Sequence, residues 1–199
     1  MRGRRRRHDV REFTFRPQRL KFNRRKITGH ILNWFVLILI AAIFGYAIVT
    51  FAVQTVQVVG PSMSDTLKDG QTVIVNKLVY TFEDVKRYDV IAYSQVESDD
   101  YYDIKRVVGL PGETIVINNG KLYVDGIALE EEYFDKNILS PGVASKEIIL
   151  GKDEYFVLGD NVNNSEDSRY TNVGNISGSE ILGKVVYIIG PKEDRGKVK

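Results

Sequence analysis

The sequence predicts a mostly β domain attached to one N-terminal transmembrane helix. Residues 31–53 contain no charged side chain. After them, short segments rich in β-branched residues alternate with turn signals, and no helical periodicity of useful length follows residue 54. A chain of 199 residues has room for one ordinary domain in addition to such a helix.

The apolar segment 31–53 is the predicted membrane span. As a helix it would be roughly 35 Å long, enough to cross a hydrocarbon core of about 30 Å. A buried core helix is the alternative, but this segment is apolar all round and offers no polar stripe to water. No A-x-A cleavage site follows it and its apolar run is longer than that of a signal peptide, so we expect a retained anchor.

Charge is divided unevenly along the chain. Residues 1–30 hold 12 Lys and Arg against two acidic residues, whereas residues 31–199 hold 16 against 24. We therefore expect residues 1–30 to be a basic cytoplasmic tail that contacts anionic membrane lipids, with residues 54–199 on the outer face of the membrane. Nucleic acid is the rival partner for such a tail. Because the basic residues lie next to a spanning helix, membrane orientation explains them better than nucleic-acid binding does. We therefore expect no nucleic-acid partner.

Strands are predicted in order along the outer domain. Asn119-Gly120 supplies the positive φ angles of a type I′ hairpin turn between two of them. Residues 114–152 are expected to form a smaller accessory hairpin region, and residues 134–148 an exposed loop. The predicted strands cover residues 71–76, 89–93, 103–108, 114–118, 121–124, 154–158 and 184–189.

The distribution of histidine and cysteine limits the chemistry of the outer domain. The chain has no cysteine, and its two histidines, His8 and His30, both lie in the predicted cytoplasmic segment. A Ser-His-Asp triad, a cysteine protease and a His/Cys zinc site are therefore excluded from the outer domain. We expect no metal and no cofactor, and a hydrolase here must take its base from Lys, Asp, Glu or Tyr.

Lys105 is the candidate base. A lysine acts as a general base when it is neutral, and burial in apolar surroundings favours the neutral form. Strand alternation places Lys105 on one face with Asp103 and Val107, whereas Ile104 and Arg106 point the other way. On this pattern alone, however, a lysine in a strand is usually a surface residue.

Four segments resemble the ordered boxes of the bacterial type I signal peptidases. They are GPSMSDTL (60–67), RYDVIAY (87–93), KRVVGLPGE (105–113) and GDNVNNSEDSR (159–169). They follow an N-terminal anchor, as in that family, and the similarity covers most of residues 55–190. Gly60 stands where one branch has an oxyanion-donating serine, so the chain resembles the Gram-positive-like branch.

The resemblance implies a membrane-bound serine endopeptidase that removes signal peptides from exported pre-proteins at the outer face of the bacterial cytoplasmic membrane. It makes Ser62 the nucleophile and Lys105 its general base, with Ser165 orienting the lysine. The implied ion-pair residues near the site are Asp160, Asp167, Arg106 and Arg169. The positions that match pockets for small substrate residues at −1 and −3 are Gln57, Val58, Val59, Met63, Leu67 and Ile104.

Three positions depart from the family pattern. Asp65 replaces a proline, Tyr88 replaces a glycine, and Asp103 stands where an aromatic residue is frequent. Three alternatives remain: a Ser–Lys self-cleaving repressor, disfavoured by the anchor and the lack of a DNA-binding helix pair; a maturation peptidase with one dedicated substrate class; and a non-catalytic single-pass β domain.

Overall fold

A computed structural model describes residues 24–94, 101–129 and 137–198, with the side chains of residues 24–31 left aside. The arginine-rich tail up to residue 23 and residues 134–136 of the predicted loop lie outside this range. The chain divides into two compact units, Met1–Phe44 and Gly45–Lys199.

The long N-terminal helix α1 runs from Arg24 to Ala52. Its part Leu32–Ala52 has 21 residues and a mean hydropathy of 2.6, which makes it long and apolar enough to cross a membrane. The predicted span extended one residue too far, because Val53 begins a strand instead. The apolar sequence continues through Val53, but Val53 pairs with Asn76 in the sheet. The helix therefore ends because the backbone hydrogen bonding changes, and not because the sequence becomes polar.

The main sheet of the second unit is antiparallel. Its order is β1-β2-β11-β3-β4-β9-β10, with β12 paired to β11. The strands are β1 (Val53–Gln57), β2 (Thr72–Asn76), β3 (Val90–Tyr93), β4 (Asp103–Gly109), β9 (Glu154–Leu158), β10 (Ile176–Ser177), β11 (Ile181–Gly190) and β12 (Gly196–Lys197). A four-residue helix, α2 (Val79–Phe82), lies between β2 and β3.

A smaller antiparallel sheet has the order β7-β6-β5-β8. Its strands are β5 (Thr114–Asn118), β6 (Lys121–Val124), β7 (Ile127–Ala128) and β8 (Ile148–Ile149). The predicted Asn-Gly hairpin is confirmed, with Asn119 and Gly120 both at positive φ between β5 and β6. Short 3₁₀ turns cover Gly142–Ser145, Val162–Asn164, Gly178–Glu180 and Lys192–Asp194.

The central strands β3 and β4 are buried on both faces. Burial explains the apolar sequence of β3 (VIAY), whereas β4 (DIKRVVG) also carries buried charged side chains. Val90 and Ala92 pack into one core cluster, whereas Ile91 and Tyr93 pack into another. Because side chains alternate along a strand, the two clusters lie on opposite faces of the sheet. Strand β4, between β3 and β9, therefore presents its side chains to a packed interior, except for the partly exposed Asp103 at its start.

The exposed loop predicted for residues 134–148 is partly wrong within residues 137–148. Ile138 and Ala144 are buried in a third core cluster with residues of β5 and β6. Gly142 lies so close to the Arg169 backbone that an added Cβ would clash. The segment is therefore mostly exposed but anchored to the smaller sheet by these two buried side chains, and it reaches the loop that follows β9.

Candidate active site

Ser62 lies in the turn between β1 and β2. Met63 and Leu67 occupy positions i and i+4 of this turn, where Leu67 N donates to Met63 O at 2.5 Å, and both side chains are buried in the core. Gly60 takes a φ of +82°, a conformation that favours glycine, and its N–H donates to Asp69 Oδ1 at 2.9 Å. The two apolar anchors hold the turn to the sheet and leave Ser62 half-buried at its surface.

Lys105 reaches this turn from the middle of β4. Its Nζ lies 3.2 Å from Ser62 Oγ, within hydrogen-bond distance, and 3.7 Å from Asp103 Oδ1. Lys105 is only 3% exposed. The strand alternation predicted from sequence is consistent with this placement, since Asp103 lies on the side of Lys105 and Ile104 packs into the core.

The loop after β9 joins the Ser62 turn through its backbone. Asn161 N donates to the Ser62 carbonyl at 3.0 Å, and the Asn161 side chain donates to Pro61 O and Ser64 Oγ. Gly159 allows this close approach: a Cβ there would lie 2.5 Å from Ser62 O and closer still to Ser165 Oγ. Neither Gly159 nor Asn161 was identified from the sequence, although both belong to the GDN segment quoted above.

Two buried ion pairs support the site. Arg106 binds both carboxylate oxygens of Asp160, at 2.8 and 2.6 Å, and the Thr66 hydroxyl donates to the same carboxylate. Since Arg106 follows Lys105 on β4 and Thr66 belongs to the Ser62 turn, this pair ties the strand, the turn and the loop after β9 together.

The second pair organises the loop itself. Arg169 binds both carboxylate oxygens of Asp167 and also donates to the carbonyls of Val162 and Ser140. Asp167 in turn accepts from Gly159 N at 3.1 Å. The four residues predicted to form ion pairs therefore meet in two pairs, all buried.

Ser165 lies in the same cleft, but the hydrogen bond expected between it and Lys105 is absent. Within residues 24–94, 101–129 and 137–198, its buried Oγ has no hydrogen-bond partner. The lysine amine lies instead toward Ser62 and Asp103. Catalytic hydrogen bonds are frequently long in the absence of substrate, and the orienting role of Ser165 stays a prediction.

Ser62, Lys105 and Ser165 line a cleft of about 430 Å³. Its remaining described lining comes from Val59–Pro61, Tyr101, Asp103, Asn163, Asn164, Glu166 and Tyr170. The pKa of the Tyr101 phenol is raised, first by the negative charge of Asp103, then by burial, and then by Glu166. The cleft therefore combines a serine–lysine pair with a negative rim.

The six predicted substrate-binding residues divide into two groups. Val59 lines this cleft, and Val59 and Gln57 also line a neighbouring groove beside β1 that includes Tyr101 and Tyr102. The other four side chains are buried in the core: Val58, Met63, Leu67 and Ile104.

Of the three departures from the family pattern, Tyr88 has a clear structural effect. It takes a φ of 71°, a left-handed conformation that favours glycine. Its N–H donates to Val107 O, and its carbonyl accepts from Arg106, both at 2.8 Å. These two bonds to β4 hold the residue in that conformation. Asp65 is exposed in the Ser62 turn.

Comparisons with known proteins identify the family of this chain. The family model described as signal peptidase, peptidase S26, matches residues 31–189. Signal peptidase I P of Bacillus subtilis subsp. natto is 35% identical over 82% of this chain and 91% of its own length. Signal peptidase IB of Staphylococcus aureus (strain COL) is 32% identical over 81% of this chain and 90% of its own length. A crystal structure of a signal peptidase I from Enterococcus faecalis V583 is 30% identical, covering 51% of this chain and 97% of that one, with a TM-score of 0.42.

The residues matched by the family model include all four quoted boxes and both ion pairs. The chain is therefore a member of the signal peptidase I family of serine peptidases, peptidase family S26.

Proposed function

We propose that this chain removes N-terminal signal peptides from exported pre-proteins by a Ser62–Lys105 dyad. The observation that carries the proposal is the 3.2 Å distance between Lys105 Nζ and Ser62 Oγ at a lysine that is 3% exposed. The family, and the names of its relatives as signal peptidases I, support the substrate class.

In the proposed reaction, Ser62 Oγ attacks the scissile carbonyl while Lys105 Nζ accepts the hydroxyl proton. The protonated lysine then donates to the leaving amine, and water hydrolyses the acyl-serine with Lys105 again as base. The Ser62 backbone N–H stabilises the oxyanion. Gly60 N is already bonded to Asp69, so it does not serve as a further donor.

Cleavage is proposed to follow small residues at −1 and −3. Gln57 and Val59 would contact the substrate directly, since both line open grooves beside the nucleophile turn. The buried side chains of Val58, Met63, Leu67 and Ile104 would form the floor that limits side-chain size.

The proposed topology is a single pass with the N-terminus inside the cell. Residues 1–30 form the cytoplasmic tail on anionic lipid, residues 31–53 include the anchor, and residues 54–199 form the outer peptidase domain, in which residues 114–152 are accessory. The length and hydropathy of Leu32–Ala52 support the anchor, and the arginine-rich tail supports the orientation.

Cleavage of a synthetic A-x-A signal peptide by the detergent-solubilised full chain tests the dyad. Activity should vanish in Ser62→Ala and in Lys105→Ala, and it should persist in Lys152→Ala, which alters an exposed lysine. A metal chelator and a thiol blocker should have no effect. Mass mapping of the cut in an exported pre-protein would establish the cleavage position.

The pH profile gives an independent check, because a lysine accepts a proton only in its neutral form. Activity should rise toward alkaline pH. Full cleavage by Lys105→Ala, or a maximum near pH 5 in the unmodified chain, would contradict the dyad.

A further inference from the structure

The cleft that holds Ser62 and Lys105 has an unbalanced charge. Among its described lining residues, the charged side chains are Lys105, Asp103 and Glu166. When the lysine is neutral, as its role as a base requires, two negative charges and no positive charge remain on these residues. A substrate bound there meets a field that favours a cation.

Asp103 lies close to the reacting atoms. Its Oδ1 is 3.7 Å from Lys105 Nζ, which is 3.2 Å from Ser62 Oγ, so these two distances place the carboxylate within about 7 Å of the nucleophile. An extended chain advances roughly 3.3 Å per residue. The carboxylate is therefore within reach of side chains one or two residues from the scissile bond, and 43% of its own side chain is exposed to receive them.

Two further polar side chains line the same cleft as Asp103. Ser165 is one of them, and its buried Oγ has no hydrogen-bond partner among the described residues. Tyr101 is 54% exposed, and the negative charges of Asp103 and Glu166 both raise the pKa of its phenol. Both carboxylates therefore act on the same region of the cleft, where Glu166 also accepts from Asn172.

We propose that Asp103, assisted by Glu166, selects substrates that carry lysine or arginine within two residues of the scissile bond. Because −1 and −3 are assigned to small residues, the selected side chain lies at −2, +1 or +2. The inference rests on the proposed peptidase function and names a substrate preference of that same site.

A set of peptides with lysine, glutamine or glutamate at each of these three positions tests the preference in the full-length protein at low ionic strength. The values of kcat/KM are compared within each enzyme form: the unmodified chain, Asp103→Asn, Glu166→Gln and Glu147→Gln. Because each ratio is taken within one form, any effect of a substitution on Lys105 cancels. Glu147 is an exposed carboxylate outside the described cleft lining and serves as the matched control.

The lysine peptide should be cleaved roughly fivefold faster than the glutamine peptide at one or more positions, and the glutamate peptide slower by a similar factor. That is the ratio expected for one unit charge pair about 4 Å apart in water-like surroundings. Asp103→Asn should remove most of the preference, Glu166→Gln a smaller part, and Glu147→Gln none. Added salt at about 1 M should weaken it in the unmodified chain.

Equal cleavage of lysine and glutamate peptides by the unmodified chain would overturn the charge selection while leaving the peptidase function intact. A preference for lysine peptides that persists in both Asp103→Asn and Glu166→Gln would overturn the charge selection as well. Failure to cleave even the glutamine peptides would instead contradict the proposed function on which the inference rests.

Discussion

The substitution Gly159→Ala places a methyl group between the two loops that form the candidate active site. The new Cβ would lie 2.5 Å from Ser62 O, whereas ordinary van der Waals contact begins at 3.4 Å. The Ser62 carbonyl must therefore move by the difference, about 0.9 Å, unless the loop after β9 withdraws. That loop is restrained, because Gly159 N donates to the buried carboxylate of Asp167.

A displacement of about 1 Å at a reacting group can cost on the order of 100-fold in rate. We therefore expect Gly159→Ala to lower kcat/KM by about 100-fold. Overpacking of a closely packed site typically costs about 1–3 kcal/mol of folding free energy, so the variant should also unfold at a lower temperature.

Peptide cleavage and thermal unfolding of the same detergent-solubilised preparation measure both effects. Assaying well below the Tm of the variant separates lost geometry from lost fold. Gly196→Ala is the matched control, since a Cβ at Gly196 meets nothing within 4 Å. Unchanged kcat/KM and unchanged Tm in Gly159→Ala would refute the close contact between the two loops.

Two further substitutions test the supporting structure. Asp160→Asn removes the negative charge that the fully buried Arg106 guanidinium binds. Chemical unfolding should show that the variant loses about 3–5 kcal/mol of folding free energy. A loss under 1 kcal/mol would contradict the buried pairing. At position 88, Tyr88→Gly should be more stable than Tyr88→Ala by roughly 0.5–1 kcal/mol. Both substitutions remove the ring, but only alanine keeps the strain of a φ of 71°. Equal unfolding midpoints for the two variants would argue against the left-handed conformation.

Strands that depend on local patterns were predicted well from the sequence. Residues 114–118, 121–124 and 154–158 form strands with the predicted bounds, because β-branched runs and the Asn-Gly turn act within a few residues. No strand was predicted for residues 53–56, where β1 begins. Its first residue, Val53, continues the apolar run of α1, and hydropathy alone does not show where hydrogen bonding changes from helix to sheet.

Residues that meet only in three dimensions were harder to predict. Ser62 and Lys105 are 43 positions apart, and the family resemblance, not any periodicity, connected them. Gly159 was missed because the atoms that require a glycine belong to Ser62 and Ser165. Ile138 was assigned to an exposed loop because the nearby segment Ser140-Pro141-Gly142 indicates a turn, whereas its burial comes from packing against the smaller sheet.

The position of β4 gives the two members of the dyad different mechanical properties. Lys105 belongs to a strand with neighbouring strands on both sides, so moving its backbone would disrupt two ladders. Ser62 belongs to a turn held by a few hydrogen bonds and two apolar anchors. The Ser62 turn would therefore move to accommodate substrates of different shape, whereas the backbone of Lys105 would stay in place. Amide hydrogen exchange should accordingly be slowest along β4 and faster around residues 60–66.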